Sequence, residues 1–251
     1  MATRPRFALV LFCFLCLLIV AASAGAAPTP QSIVKRLNDA YVHARSYEAR
    51  FRTEMTLRGK ASLSMLVHVQ MIPGKKMRFD VTSIPGAKTV YGPQMPNRRV
   101  LVVDDGRQVW VYFPTTREYL HGKHMHTFRP ALMSYGFMLG SLDASDSPWR
   151  LSRTIRRPGG AIWVVETVRP VPLGRITGSV RLFVDAATGH AKRIEMSAAP
   201  GGPPIVVTVT LLQERINASI PPSAFSFKLP RGARPAPSTG DELPLGPPDL
   251  P

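Results

Sequence analysis

The sequence predicts a mainly β protein built on one large antiparallel sheet, with two or three short helices. Apolar and polar residues alternate over most of the stretch from Tyr47 to Ile216, the period of a half-wet strand. The alternating runs are joined by short turns rich in Gly, Pro and Asp, which argues an antiparallel meander rather than βαβ units. Cys13 and Cys16 are the only cysteines and both lie in the first twenty residues, so neither a disulfide framework nor a Cys-ligated metal site competes with a packed sheet.

The elements follow in order. Arg4 and Arg6 precede an unbroken apolar run from Phe7 to Val20, and Ala22-Ser23-Ala24 supplies a small-residue cleavage site. That combination describes a secretory signal peptide over 1–24, and the run is shorter than the roughly 20 apolar residues of a spanning helix. Leu15 precedes Cys16 and Phe12 precedes Cys13, so neither cysteine has the small neighbour that lipoprotein processing requires. The expectation is a soluble, unlipidated, cysteine-free periplasmic protein, carrying about +14 of the full chain's +16.

Thr29-Pro30 opens a helix, with a capping hydroxyl and a proline in the first turn. Ile33, Leu37, Tyr41 and Ala44 then recur at helical spacing. At Ser46 the period becomes two. Tyr47, Ala49, Phe51, Thr53, Met55 and Leu57 share one face, and Glu48, Arg50, Arg52 and Glu54 the other. Gly59-Lys60 turns the chain into Leu63, Met65, Val67, Val69 and Met71, and Pro73-Gly74 turns it into Met77, Phe79 and Val81. Val100 to Val103 and Val109 to Phe113 flank Asp105-Gly106, a hairpin signal. Further strands are expected at Trp149 to Ile155, Ile162 to Val168, Val180 to Val184, Ala191 to Met196 and Ile205 to Ile216. Pro130 to Leu142, with Leu132, Met133, Phe137 and Met138, suits a second helix. From Ala233 to Pro251 there are six prolines in nineteen residues, the composition of a flexible tail. The folded domain is therefore placed at 28–232 and the tail at 233–251.

Ten or eleven strands with one apolar face each must curl around a filling or stack on a second sheet. Methionine is frequent on that face: Met55, Met65, Met71, Met77 and Met95 fall within forty residues of one another. An unbranched, polarizable side chain fills an irregular core, and it equally lines a surface that accepts ligands of variable shape. An apolar cavity lined by Phe51, Met55, Met65, Val67, Met77 and Phe79, and only partly filled by Ile33, Leu37, Met133 and Phe137, is the candidate site.

The segment Leu101-Val102-Val103-Asp104-Asp105-Gly106-Arg107-Gln108-Val109-Trp110-Val111-Tyr112-Phe113-Pro114 resembles the LolA family of periplasmic outer-membrane lipoprotein carriers, with its LolB- and RseB-type relatives. The closing run Ile220-Pro221-Pro222-Ser223-Ala224-Phe225-Ser226-Phe227-Lys228-Leu229-Pro230-Arg231-Gly232 is similar to that family's end, and Val184-Asp185 through Arg193-Ile194 to its late hairpin. The similarity covers about residues 32–232. It implies an incomplete, half-open antiparallel β-barrel wrapped over helices, with an apolar cavity that takes acyl chains, and it adds Trp110 and Tyr112 to the lining. It also implies an inner-membrane donor and an outer-membrane acceptor as partners. The arginine with which the family latches its helical lid has no counterpart in Met71-Ile72-Pro73-Gly74-Lys75-Lys76-Met77-Arg78.

Other chemistry is poorly supported. No G-x-S-x-G, H-E-x-x-H or P-loop pattern occurs, so no catalytic site is expected, and no cofactor. His121, His124 and His126 with Met125 form the one metal-like cluster, a copper alternative that lacks an acidic supporting residue. Of 32 cations 24 are arginine, and those around Arg50, Arg52 and Arg58 and at Arg150, Arg153, Arg156 and Arg157 suit an anionic membrane surface. Nucleic acid is not expected of an exported chain without a recognisable binding fold. The leading reading is a non-enzymatic periplasmic carrier or chaperone for lipoprotein acyl chains or another lipid, serving outer-membrane biogenesis. The alternative is an RseB-like sensor of lipid or lipoprotein in an envelope stress response.

Overall fold

The computed structural model describes residues 28–57, 60–83, 99–123, 148–173, 176–199 and 204–236. The expected signal peptide, the second helix at 130–142, and the candidate residues Met133, Phe137, His124 and His126 lie outside these, as do Met95 and Arg58.

Helix α1 (Pro30–Val42) starts where Thr29 accepts a hydrogen bond from the Ser32 backbone N–H at 3.2 Å, with Pro30 in the first position. Its apolar stripe buries Ile33, Val34 and Leu37. The strands are β1 (Tyr47–Leu57), β2 (Lys60–Ile72), β3 (Lys76–Ser83), β4 (Arg99–Asp104), β5 (Gln108–Phe113), β6 (Glu118–Lys123), β7 (Trp149–Arg157), β8 (Gly160–Thr167), β9 (Val171–Leu173), β10 (Ile176–Asp185), β11 (Ala191–Ala198), β12 (Ile205–Ile216) and β13 (Arg234–Pro235). They form one sheet in the order β13-β6-β5-β4-β3-β2-β1-β12-β11-β10-β8-β7, with β9 beside β10. All pairings are antiparallel except β13 with β6. Among the described residues β7 and β13 end the sheet unpaired with each other, so it is large and open. The fold is mainly β, as expected; of the two or three helices, one α-helix and the 3-10 turn Pro222–Phe225 are described.

Local chemistry fixes the turns. Gly106 has φ +91°, and its N–H bonds Asp104 Oδ1 at 2.8 Å. A Cβ there would stand 2.7 Å from the Lys75 carbonyl oxygen, so only glycine fits. At the far end of the sheet Arg36 of α1 reaches the β10–β11 turn, where its Nη2 donates to the Ala187 carbonyl at 3.3 Å.

The chain after β12 departs from expectation. Arg234 and Pro235, expected to lie in a tail beginning at Ala233, pair with β6 as β13, with Arg234 opposite Glu118 both in backbone register and through a 3.0 Å ion pair. Before it, Arg78 Nη1 donates to the Ala224 carbonyl at 3.1 Å, and Phe225 is 1% exposed. This strap crosses the outer face of β3 to β6. β6 was not among the expected strands, because Glu118–Lys123 has no clean apolar face to read.

Candidate functional site

The pairing registers show which side chains share the inner face. Glu214, Ala49, Val69, Phe79, Val102, Val111 and Leu120 form one row across seven strands. Phe51, Val67, Val81 and Val100 form the next, and Ile216, Tyr47, Met71 and Met77 the row on the other side. Apart from Glu214, these belong to a single apolar cluster with Tyr47, Phe51, Val67, Met77 and Phe79 buried, and with Met65, Met71 and Val81 half-buried against it. Five candidate residues, Phe51, Met65, Val67, Met77 and Phe79, are thus brought together. Met55 is half-buried on the same side of β1, opposite Val207 and outside the cluster's core.

Trp110 and Tyr112 are corrected. In β5 the residues facing this cluster are Val109 and Val111, so period-two alternation turns Trp110 and Tyr112 to the outer face. There Trp110 stacks on His121 at 3.8 Å, and Phe227 of the strap lies 5.6 Å from Trp110 and 5.8 Å from Tyr112. The two aromatics seat the C-terminal strap. His121 is exposed and engaged with Trp110, and among the described residues no group of three or more His, Cys, Asp or Glu could hold a metal.

The same inner face continues over the other half of the sheet. Thr53, Val209, Ile194, Leu182, Val165 and Leu151 are successive partners from β1 to β7. Here α1 lies on the sheet: Ile33, Val34 and Leu37 pack with Trp149, Val165, Val180, Leu182, Val184 and Ile194 in a second cluster, so Ile33 and Leu37 do not fill the candidate cavity as expected. Tyr41 of α1 and Met196 of β11 touch both clusters and mark the seam.

Sequence reasoning missed the polar group at that seam. β12 carries a bulge opposite Arg50/Phe51, which leaves Leu212 unpaired and shifts the inward side from Val207, Val209 and Leu211 to Glu214 and Ile216. Glu214, 6% exposed in its side chain, accepts from Tyr41 Oη at 2.6 Å and lies 2.9 Å from His190 Nδ1. Burial, and then the Glu214 charge, push the hydroxyls of Tyr41 and Tyr47 well above the usual phenol range, so both stay protonated as donors. This arrangement ties the C-terminal end of α1 to β12 and to the β10–β11 turn. The only sequence hint was the doubled Leu211-Leu212, which breaks alternation.

The outer face is ionic. Glu48 bridges His68 at 3.0 Å and Arg215 across three strands, Asp80 pairs with Arg99, and Glu166 holds Arg150 at 2.7 Å and Arg181 at 2.8 Å. A cleft of about 90 Å³ opens here beside the bulge, lined by Glu48, Ala49, Arg50, Gln213 and Arg215. It is too charged and too small for an acyl chain. No described helix is long and apolar enough to cross a membrane.

No protein-family model matches the chain, and no curated protein matches it. Solved structures do. The chain is similar to LprF from Mycobacterium bovis, with 13% identity and a TM-score of 0.47, over 82% of this chain and 100% of that one. It is similar to the Mycobacterium tuberculosis lipoprotein LppX, with 11% identity and a TM-score of 0.46, over 76% and 96%. A LolA superfamily protein from Nitrosomonas europaea matches with 11% identity and a TM-score of 0.37, over 80% and 99%.

Proposed function

We propose that the protein is a non-enzymatic carrier of the periplasm that shields acyl chains, of a lipoprotein or of another lipid, from water. One observation carries the reading. The apolar inner face over β1 to β5 and β12 holds Phe51, Phe79 and Met77 with Met65 and Met71, while the buried side chains of α1 are committed to the other half of the sheet. Methionine and phenylalanine on an unbranched, adaptable surface accommodate chains of differing length. Each CH₂ moved there from water is worth about 0.8 kcal/mol, so even one acyl chain is captured strongly. Such a carrier collects its cargo from an inner-membrane donor, and an outer-membrane acceptor competes for it at release.

The test is native mass spectrometry, with lipid extraction, on the mature protein purified from the periplasm of its own host. A discrete added mass that extraction identifies as a lipid or an acylated peptide is the expected result. Protein recovered free of lipid, and unable to take up a fatty acid added afterwards, overturns the reading.

A further inference from the structure

We propose that the outer face of the sheet, from β7 across to β1, docks the protein on a bilayer surface rich in anionic phospholipid. The registers place Arg153, Val164, Phe183, Arg193, Thr210 and Arg52 in one row over that face, one residue from each of six strands. Five strand spacings of about 4.8 Å put its end arginines about 24 Å apart. The row contains no carboxylate. In the row beside it, Glu166 already holds Arg150 and Arg181, and Glu195 holds Arg181 at 3.1 Å as well as Arg193. Those two acids are used up, and the third in that row, Glu54 at its β1 end, forms no ion pair among the described residues. Arg52, Arg153 and Arg157, which shares the face of Arg153 further along β7, are exposed and form no ion pair among the described residues.

The form of the face selects the partner. The arginines are spread along strands, with the ends of the row about 24 Å apart, so a small anion gains no more than one contact at a time. An extended anionic surface engages them all. Guanidinium forks match phosphodiester oxygens, and they are weakly hydrated enough to lie against apolar groups, as Arg193 does 5.2 Å from the Phe183 ring centroid. Phe183, half-buried between the arginines, suits the boundary of head groups better than a fully aqueous polyanion. The secretory leader expected at 1–24 also brings the chain to an envelope rather than to nucleic acid. This face is opposite the apolar one, so the proposal stands or falls apart from acyl-chain binding.

Vesicle flotation of the mature chain tests it, comparing phosphatidylglycerol mixed equally with phosphatidylcholine against phosphatidylcholine alone. The parent should float with the anionic vesicles only, and should be released by salt. At about fivefold per arginine, the triple variant Arg52→Gln, Arg153→Gln, Arg157→Gln should bind roughly 100-fold more weakly. A control that removes the same charge elsewhere, Arg107→Gln, Lys228→Gln, Arg231→Gln, should bind as the parent does, with circular dichroism confirming that both variants fold. Equal loss in the two triples, no binding by the parent, or binding to duplex DNA as tight as to the vesicles at one ionic strength overturns the proposal.

Discussion

The two halves of the inner face are made of the same sheet and differ in what packs on them. Over β7 to β11 the buried residues are mostly β-branched or leucine, Val165, Val180, Val184, Leu182 and Ile194, and they meet Ile33, Val34 and Leu37 of α1. Over β1 to β5 valines recur, Val67, Val69, Val102, Val109 and Val111, but Phe51, Phe79 and Met77 are buried among them, with Met65 and Met71 beside them. Branched side chains have few rotamers and specify one packing; methionine has three flexible torsions and tolerates several. The first half is built to hold a helix in one place. The second carries the methionines and phenylalanines, and Tyr41, Glu214 and His190 stand at the boundary between them.

The comparison is broken hardest in the helix half. Leu37→Ala removes a fully buried side chain from a close-packed site and should cost about 3 kcal/mol, within the usual spread of such deletions. Urea unfolding checks this, and the fraction that remains folded should still bind an apolar probe. At the seam, Glu214→Gln keeps the shape but weakens charge-assisted bonds to Tyr41 and His190, for a loss of about 2 kcal/mol. Hydrogen exchange should then quicken in α1 and in the β10–β11 turn ahead of β2 and β3.

A smaller effect comes from the outer ladder of the helix half. The hydrogen bond from Arg181, opposed by burial and aided by Arg150, holds the Glu166 carboxyl below its ordinary value of 4.5. A carboxylate whose pKa is lower folded than unfolded stabilises the protein above the unfolded value, and that stability is lost as pH falls through 4.5 and below. Glu166→Gln should therefore be less stable than the parent at pH 7, and the gap should close as pH drops below about 4.5 in thermal melts. The smallest effect is expected in the half that carries the methionines. Met77→Leu conserves volume and should change stability by less than about 1.5 kcal/mol in urea titration.

Much of the architecture was legible because period two is a strong signal wherever one face is wet. β1, β2 and β3, the Asp104–Gly106 turn and the Thr29 cap all fall where the residues predict. What was not legible depends on tertiary partners. Trp110 and Tyr112 are apolar enough for either face of β5, and the partner that covers them on the outer face, Phe227 of the strap, lies far along the chain. Arg234–Pro235 has too little apolar surface to announce a strand and is held by pairing with β6. Glu214 is carried inward by a bulge, which leaves almost no trace in sequence because it depends on the register of β12 against β1.

The central claim is that the face holding Phe51, Met65, Met77 and Phe79 takes acyl chains rather than being a finished core. The direct measurement is the affinity of a fluorescent fatty-acid analogue, displaced by unlabelled fatty acid, for the parent, for Met65→Glu and Phe79→Glu, and for Leu37→Val as a control in the other half. A carboxylate set in this apolar surface is desolvated unless it protonates, at a cost of several kcal/mol. Met65 is half-buried, so its variant is the one most certain to keep the fold, which circular dichroism confirms. The account predicts that folded Met65→Glu loses most of the probe affinity at neutral pH while Leu37→Val, though less stable, retains it. Folded Met65→Glu and Phe79→Glu that bind the probe as the parent does, or a parent that binds none, would contradict it.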